Sequence, residues 1–278
     1  MFDYLEGLRS RLLATRTYIG SENALTDSAW SYLEYGNTWM RSIDGEIVEG
    51  SLMIVGTVAS EGSDLGVMGT YDFERNNLGL ATWHFLLEQP SATCFSSDFA
   101  RAVFKLDLLQ GLISKSGVNK GVVRRRAGSS VVAFGSPLFV KKGSTSVEEC
   151  DEVWPVPYAS HTRFRAMLDG YVFKPLRVTN RVGVPIPAKD WAAQLPGALV
   201  EVTFSLHHSY SAKEKSDDYA AWAKAVRVIK AAPEKAVQRT EDQKHEGEPC
   251  FTGVGPLDEW LFTPGKRMKG RLSSEGVA

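Results

Sequence analysis

The stretch Gly197–Lys230, GALVEVTFSLHHSYSAKEKSDDYAAWAKAVRVIK, constrains the fold more than any other part of the chain. Val200, Val202, Phe204 and Leu206 fall on one side of an extended backbone, with Glu201, Thr203, Ser205 and His207 on the other. Successive side chains of a strand point to opposite faces, so the alternation predicts a half-buried strand. Ala221–Ile229, AWAKAVRVI, suits a partner strand with one wet face. The polar stretch between them, His208–Tyr219, predicts a solvated loop longer than a tight hairpin turn.

Short β-branched and apolar runs bounded by Gly, Pro and Asn recur elsewhere. EIVEGSLMIVGTV and the runs on either side of Asn76-Asn77 predict a meander, and VVRRRAGSSVVAFGSPLFVKK predicts a hairpin series. Tyr171–Phe173 and Leu176–Val178 read as strands, and Ala188–Leu195 as one or two helical turns. Helical spacing appears in two places. Phe2, Leu5, Leu8, Leu12 and Leu13 predict an amphipathic N-terminal helix capping a sheet, and Phe99, Val103, Leu106 with Phe104 or Leu108 predict a helix ending near Gly111. The segment 21–40 is rich in aromatics and in possible caps and reads either way. There is no internal repeat and no regular βαβ alternation, which argues against a doubly wound sheet. The expected fold is mainly β, a barrel or sandwich with a few short helices.

The acidic run and two prolines of SVEECDEVWPVPYAS predict a boundary near residues 144–160. On that reading, 1–145 is a β-rich domain with an acidic start and a basic hairpin, and 160–230 is a second β domain. Residues 231–250 are a flexible charged linker, and 251–278 an aromatic segment with a basic tail.

Charge is distributed unevenly. Residues 1–107 carry seven Lys and Arg against fifteen Asp and Glu, whereas 108–147 carry seven basic residues and no acidic one. Such a block can mark an anion-binding face, although the sequence pI of 6.5 lacks the basicity of a duplex-DNA binder. No stretch is apolar enough for a membrane helix, and Asp3 and Glu6 stand where a signal peptide carries positive charge, so an intracellular protein, cytoplasmic or nuclear, is expected with no membrane partner.

The motifs of catalysis are missing. No GxSxG, Walker A loop or strand-linked GxGxxG occurs, and Cys94, Cys150 and Cys250 are widely spaced without a CxxC. His207 and His208 are adjacent, and strand geometry sends their imidazoles to opposite faces, so they do not converge on one ion. No catalytic residue, metal ligand or cofactor is assigned.

The basic block is the most informative local feature. Lys120, Arg124, Arg125, Arg126, Lys141 and Lys142 would gather several cations on one hairpin, where they could neutralise phosphates and release counterions. An ordinary solvated hairpin, or a partner for the acidic N-terminal region, explains the same charges. Trp30, Trp39, Trp83, Trp154 and Trp191 stand among apolar or turn residues and read as core. Trp222, beside the polar loop with Tyr210 and Tyr219 nearby, is the candidate stacking platform.

The order YVFKPLRVTNRVGVPIP, then LPGALVEVTFSLHHS, then YAAWAKAVRVIK resembles the strand order of the oligonucleotide-binding (OB) fold over roughly 60 residues, which implies an OB-like barrel in the mainly β fold and an OB-like domain at 160–230. The resemblance implies ligand-facing residues on exposed barrel strands, at Lys174, Arg177, His207, Trp222, Lys224 and Arg227. The expected function is binding of single-stranded DNA or RNA without catalysis, through Lys120, Arg124, Arg125, Arg126, Lys141, Lys142, Trp222, Lys224 and Arg227. The alternative is an interaction or scaffold module whose C-terminal LDEWLF segment docks on a protein partner.

Overall fold

A computed structural model describes residues 2–31, 36–66, 69–70, 81–91, 93–115, 117–126, 128–142, 170–174 and 176–233. In chain order its elements are α1 (Phe2–Leu13), β1 (Ser28–Trp30), β2 (Asn37–Ile43), β3 (Glu46–Glu49), β4 (Leu52–Val58), β5 (Thr82–Glu88) and α2 (Ser96–Gly111). They continue with β6 (Val118–Lys120), β7 (Val123–Arg126), β8 (Ser129–Pro137), β9 (Phe139–Lys141), β10 (Tyr171–Phe173) and β11 (Arg177–Thr179). A 3-10 turn (Ala188–Asp190) leads into α3 (Trp191–Gln194), and β12 (Leu199–Ser211) and β13 (Ser216–Lys230) complete the order.

The alternating run forms β12 and β13, which pair antiparallel along almost their whole length. The loop expected over His208–Tyr219 is mostly strand instead. Pairing continues through His208↔Tyr219 to Ser211↔Ser216 and leaves only residues 212–215 for the turn. Polar side chains are carried into this ladder because the inward ones satisfy each other: His208 Nε2 lies 2.8 Å from Asp217 Oδ1, both buried.

Around this hairpin the sheet closes. β12 pairs with β4, β4 with β5 and β5 with β8, all antiparallel. β8 then meets β13 in parallel through the single bridge Trp222↔Gly135, and β13 returns to β12. Ranked along the chain, the five barrel strands follow the circular order 1-2-3-5-4, the Greek-key barrel of the OB fold, with its partial opening between strands three and five. The fold is therefore mainly β and OB-like, as expected.

Its first three strands, however, come from 52–137 and its last two from 199–230. The OB-like order is not confined to 160–230, and the boundary expected at 144–160 does not separate two sheets. Residues 143–169 and everything beyond 233 lie outside the described residues, including most of the expected linker at 231–250, all of 251–278, and Trp154.

Inward positions alternate as a half-buried sheet demands. Trp83, Phe85 and Leu87 of β5, Val132 and Phe134 of β8, Val200, Val202, Phe204 and Leu206 of β12, and Ala221 and Ala223 of β13 fill the barrel. Phe85 stacks on Phe134 at 5.3 Å, and Phe134 meets Phe204 edge to face at 5.1 Å. Each such pair adds about 1 kcal/mol to the burial of its rings. Trp30, Trp39, Trp83 and Trp191 are all buried, as the sequence predicts.

The helices cap this barrel. α1 buries Leu5, Leu8 and Leu12 against Val55, Phe95, Leu199 and Ile229. α2 turns Phe99, Ala102, Val103, Leu106 and Leu109 inward, and both Phe104 and Leu108 face solvent, contrary to the expected inward set. Arg9 of α1 grips the buried Asp98 in the first turn of α2 through two bonds, Nε–Oδ2 at 2.8 Å and Nη2–Oδ1 at 2.9 Å. The hydrogen bond to Asp98 raises the pKa of Arg9, and the carboxylate also suits the positive end of the helix.

Candidate nucleic-acid interface

One row of residues crosses the outer face of the barrel. Register places His84 of β5 opposite Gly135 of β8, Gly135 opposite Trp222 of β13, and Trp222 opposite Ser205 of β12. Trp222 is half-buried, and its six-membered ring lies against Gly135, where a Cβ would come within 2.7 Å of Cζ3. Only glycine admits the ring this close to the β8 backbone.

The floor on the β5–β8 side is apolar. Leu86, Val131 and Ala133 form a small outer cluster with Ala59, the first residue after β4. The loop that follows runs alongside, bonding its Asp64 backbone to that of His84 in both directions. In an OB barrel this face of strands two and three, with the loops joining strands one to two and four to five, is where oligonucleotides bind. Here the strands are β5 and β8, and among the described residues 59–66 and 212–215 belong to those loops.

Alternation along β7 distributes the three arginines. Arg124 and Arg126 pair with Val131 and Ser129 and share their outer face, whereas Arg125 pairs with Ser130 and donates to its hydroxyl. Arg124 is half-buried, and burial lowers its pKa. Burial and the Arg124 charge together push the His84 pKa down to about 4, which keeps that imidazole neutral at pH 7. Arg126 donates to the Glu61 carbonyl at 2.9 Å and to the Glu61 carboxylate.

The remaining expected cations disperse. Lys120 of β6 sits beside the hairpin turn, 2.5 Å from Glu214 Oε2 and 3.5 Å from Asp218 Oδ1. Lys224 lies 2.9 Å from Glu49 Oε2, and Arg227 lies 2.6 Å from Glu201 Oε2. Lys141 and Lys142 are not on the arginine hairpin. β9 pairs with β10 in a separate two-stranded sheet, beyond the far end of β8. The eight residue steps of β8 span about 26 Å, which separates the two lysines from Arg126. The structure thus places Arg124, Arg126 and Trp222 on one face with Lys120 at its rim and Lys224 two residues beyond Trp222 on β13, and it leaves Arg125, Lys141, Lys142 and Arg227 elsewhere.

The adjacent histidines separate as strand geometry requires. His207 faces outward toward Glu49, and His208 faces inward. Asn37 Nδ2 donates to His208 Nδ1 at 2.9 Å and His208 Nε2 donates to Asp217, an arrangement that fixes the ring proton on Nε2. The other Asp217 oxygen accepts from the Lys115 backbone N–H at 2.9 Å. Sequence reasoning does not reach this network; His208 and Asp217 lie on the inward alternation of the two strands as a diagonal pair, each two residues from the other's register partner, and that spacing is the signal that could reveal it. Among the described residues no group of three or more His, Cys, Asp or Glu side chains gathers as a metal site. Among them, too, no helix is long and apolar enough to cross a membrane.

No family model and no curated protein matches the chain in sequence. Several solved structures are similar to it at low identity. The single-stranded DNA-binding protein gp2.5 encoded by bacteriophage T7 is 10% identical with a TM-score of 0.42, over 72% of this chain and 98% of that one. The single-stranded DNA-binding protein of bacteriophage Enc34 in complex with ssDNA is 10% identical with a TM-score of 0.36, over 72% and 93%. Its C-terminally truncated form is 10% identical with a TM-score of 0.35, over 73% and 95%.

Proposed function

We propose that this protein binds single-stranded nucleic acid across the outer face of β5, β8 and β13. A base stacks on Trp222, and backbone phosphates meet Arg124 and Arg126 on one side and Lys120 near the hairpin turn. The observation that carries this reading is the half-exposed Trp222 ring seated on Gly135 where the strands meet, with Arg124 and Arg126 on the same face four and six residues along the β8 register. Stacking on aromatics is tolerant of sequence, and cations along a groove track the backbone.

The ion pair that holds Arg126 is no obstacle. Its side chain is 41% exposed and that of Glu61 is 69% exposed, and pairs in such settings contribute little, so a phosphate can replace the carboxylate. A neutral His84 beside Arg124 adds an uncharged edge to the floor.

Fluorescence anisotropy with a labelled single strand of about 20 nucleotides, longer than one OB-fold site, tests the proposal. Trp222→Ala is expected to weaken binding by about 5- to 150-fold, the range for removal of one stacked base. Replacing Arg124 and Arg126 together is expected to reduce the slope of log K against log salt by about 0.7 for each phosphate that is no longer neutralised. Absence of binding at low salt, or a Trp222→Ala variant that binds like the parent, would overturn it.

A further inference from the structure

Beside Trp222, one carboxylate of the protein itself sits among His207, Lys224 and Ser205. Glu49 ends β3, and its side chain lies over the outer face of β12 and β13. Glu49 Oε1 lies 3.2 Å from His207 Nε2, and Oε2 lies 2.9 Å from Lys224 Nζ. The Ser205 hydroxyl stands beside them, 2.9 Å from His207 Nε2. His207 is steadied from behind by Thr38 Oγ1, 3.2 Å from Nδ1, and Lys224 is also 3.5 Å from Ser51 Oγ. The hydrogen bond from His207, ahead of Lys224 and Ser205, pulls the Glu49 pKa down to about 2, so the cradle is built around a full negative charge.

Two features set this cluster apart from an ordinary surface pair. Its donors come from two barrel strands, and Ser205 is the register partner of Trp222, which puts the carboxylate next to the stacking platform. The carboxylate itself arrives on a removable element. All four residues of β3 are exposed, and among the described residues β3 pairs with β2 alone. Asp44 and Gly45, both at positive φ, turn β2 into β3 at its outer end. The Glu49 side chain can leave the cradle without uncovering the core.

A phosphodiester presents the same pair of anionic oxygens to donors as a carboxylate does. We infer that Ser205, His207 and Lys224 form a phosphate subsite of the nucleic-acid face, occupied in the free protein by Glu49. Single-stranded nucleic acid then binds in competition with the protein's own carboxylate. The inference rests on the proposed function and adds to it a phosphate position on the far side of Trp222 from Arg124, together with the group that guards it.

The same labelled strand, titrated at roughly 50 to 300 mM salt, reads the outcome. Glu49→Ala and the near-isosteric Glu49→Gln are both expected to bind about three- to tenfold more tightly at the lowest salt, since an exposed pair contributes little and its removal opens one phosphate position. The salt slope should steepen by about 0.7 for that added phosphate. Adding Lys224→Ala to Glu49→Ala should abolish the gain, so that the two substitutions are coupled. Thermal melting of each variant confirms folding, which an exposed Glu-to-Gln change leaves intact. If the parent binds the strand through Trp222 while both Glu49 variants keep its affinity and slope, or bind more weakly, the subsite is wrong and the face stands. If neither parent nor variants bind, the face and the subsite both fall.

Discussion

His84 and Trp222 differ in how far their sequence neighbours announce them. Trp222 stands in a run whose alternation is visible, beside a polar stretch, so its place on a wet face can be read directly. Gly135 beneath it cannot, because the contact joins residues 87 positions apart and glycine has many uses. His84 looks like an isolated histidine in the sequence, and only folding places Arg124 beside it. Its pKa of about 4 has a measurable consequence. The unfolded imidazole takes up its proton below about pH 6.5, and the folded one only near 4. The stabilising contribution of the neutral ring is complete above pH 6.5 and falls away as the pH drops through 6.5 toward 4, by about 3 kcal/mol in all. Urea titrations from about pH 7.5 to 4 should show this fall in the parent and a shallower one in His84→Gln. Equal pH dependence in the two would contradict the placement of the ring.

At the scale of elements, the β12–β13 hairpin shows what alternation can and cannot predict. Period-two patterning locates both strands and correctly divides His207 from His208. It stops short at the polar end, where Ser209, Asp217 and Asp218 resemble loop residues although they lie in a continuing ladder. The reason is the buried network: His208 and Asp217 face inward and satisfy each other, and Tyr219 donates to the Gln110 carbonyl of α2 at 2.6 Å. Truncating one member of such a buried pair leaves the other unsatisfied. Asp217→Ala is therefore expected to cost about 3–5 kcal/mol, measured as a fall in the urea midpoint, and to free the hairpin turn for faster amide exchange. A cost below about 1 kcal/mol would show that the pair is solvated. In α2, helical spacing identifies the element but not its whole inner face. Phe104 and Leu108 have the residue types of a core, yet the barrel meets the helix one position away, at Val103, Leu106 and Leu109.

At the scale of the whole molecule, the barrel is one closed sheet in which residues near 55 pair with residues near 200. A composition shift at 144–160 suggests separable halves, and strand pairing crosses it. Residues 160–230 produced alone are accordingly expected to show no cooperative thermal transition, because β12 and β13 would lack β4 and β8. A folded fragment with native near-ultraviolet dichroism would refute that. The same closure redistributes the basic block. Arginines at 124 and 126 share a face because they alternate in one strand, whereas Lys141 and Lys142, equally close in sequence, belong to the end of a different sheet.

The sequence by itself determined which residues face inward along the apolar run of β12, that strands predominate, where two helices lie and that Trp30, Trp39, Trp83 and Trp191 pack, because these follow from residue type and from periodicities of two and about 3.6 residues within a single element. It also determined that cations cluster between 115 and 142. Only the tertiary structure decided which strands are neighbours, and hence that Trp222 rests on Gly135, that the Arg124 charge acts on His84 and that Glu49 sits among Ser205, His207 and Lys224. Those contacts join residues 40 to 175 positions apart, and a pattern within one strand fixes the face a side chain takes without fixing the strand it will meet.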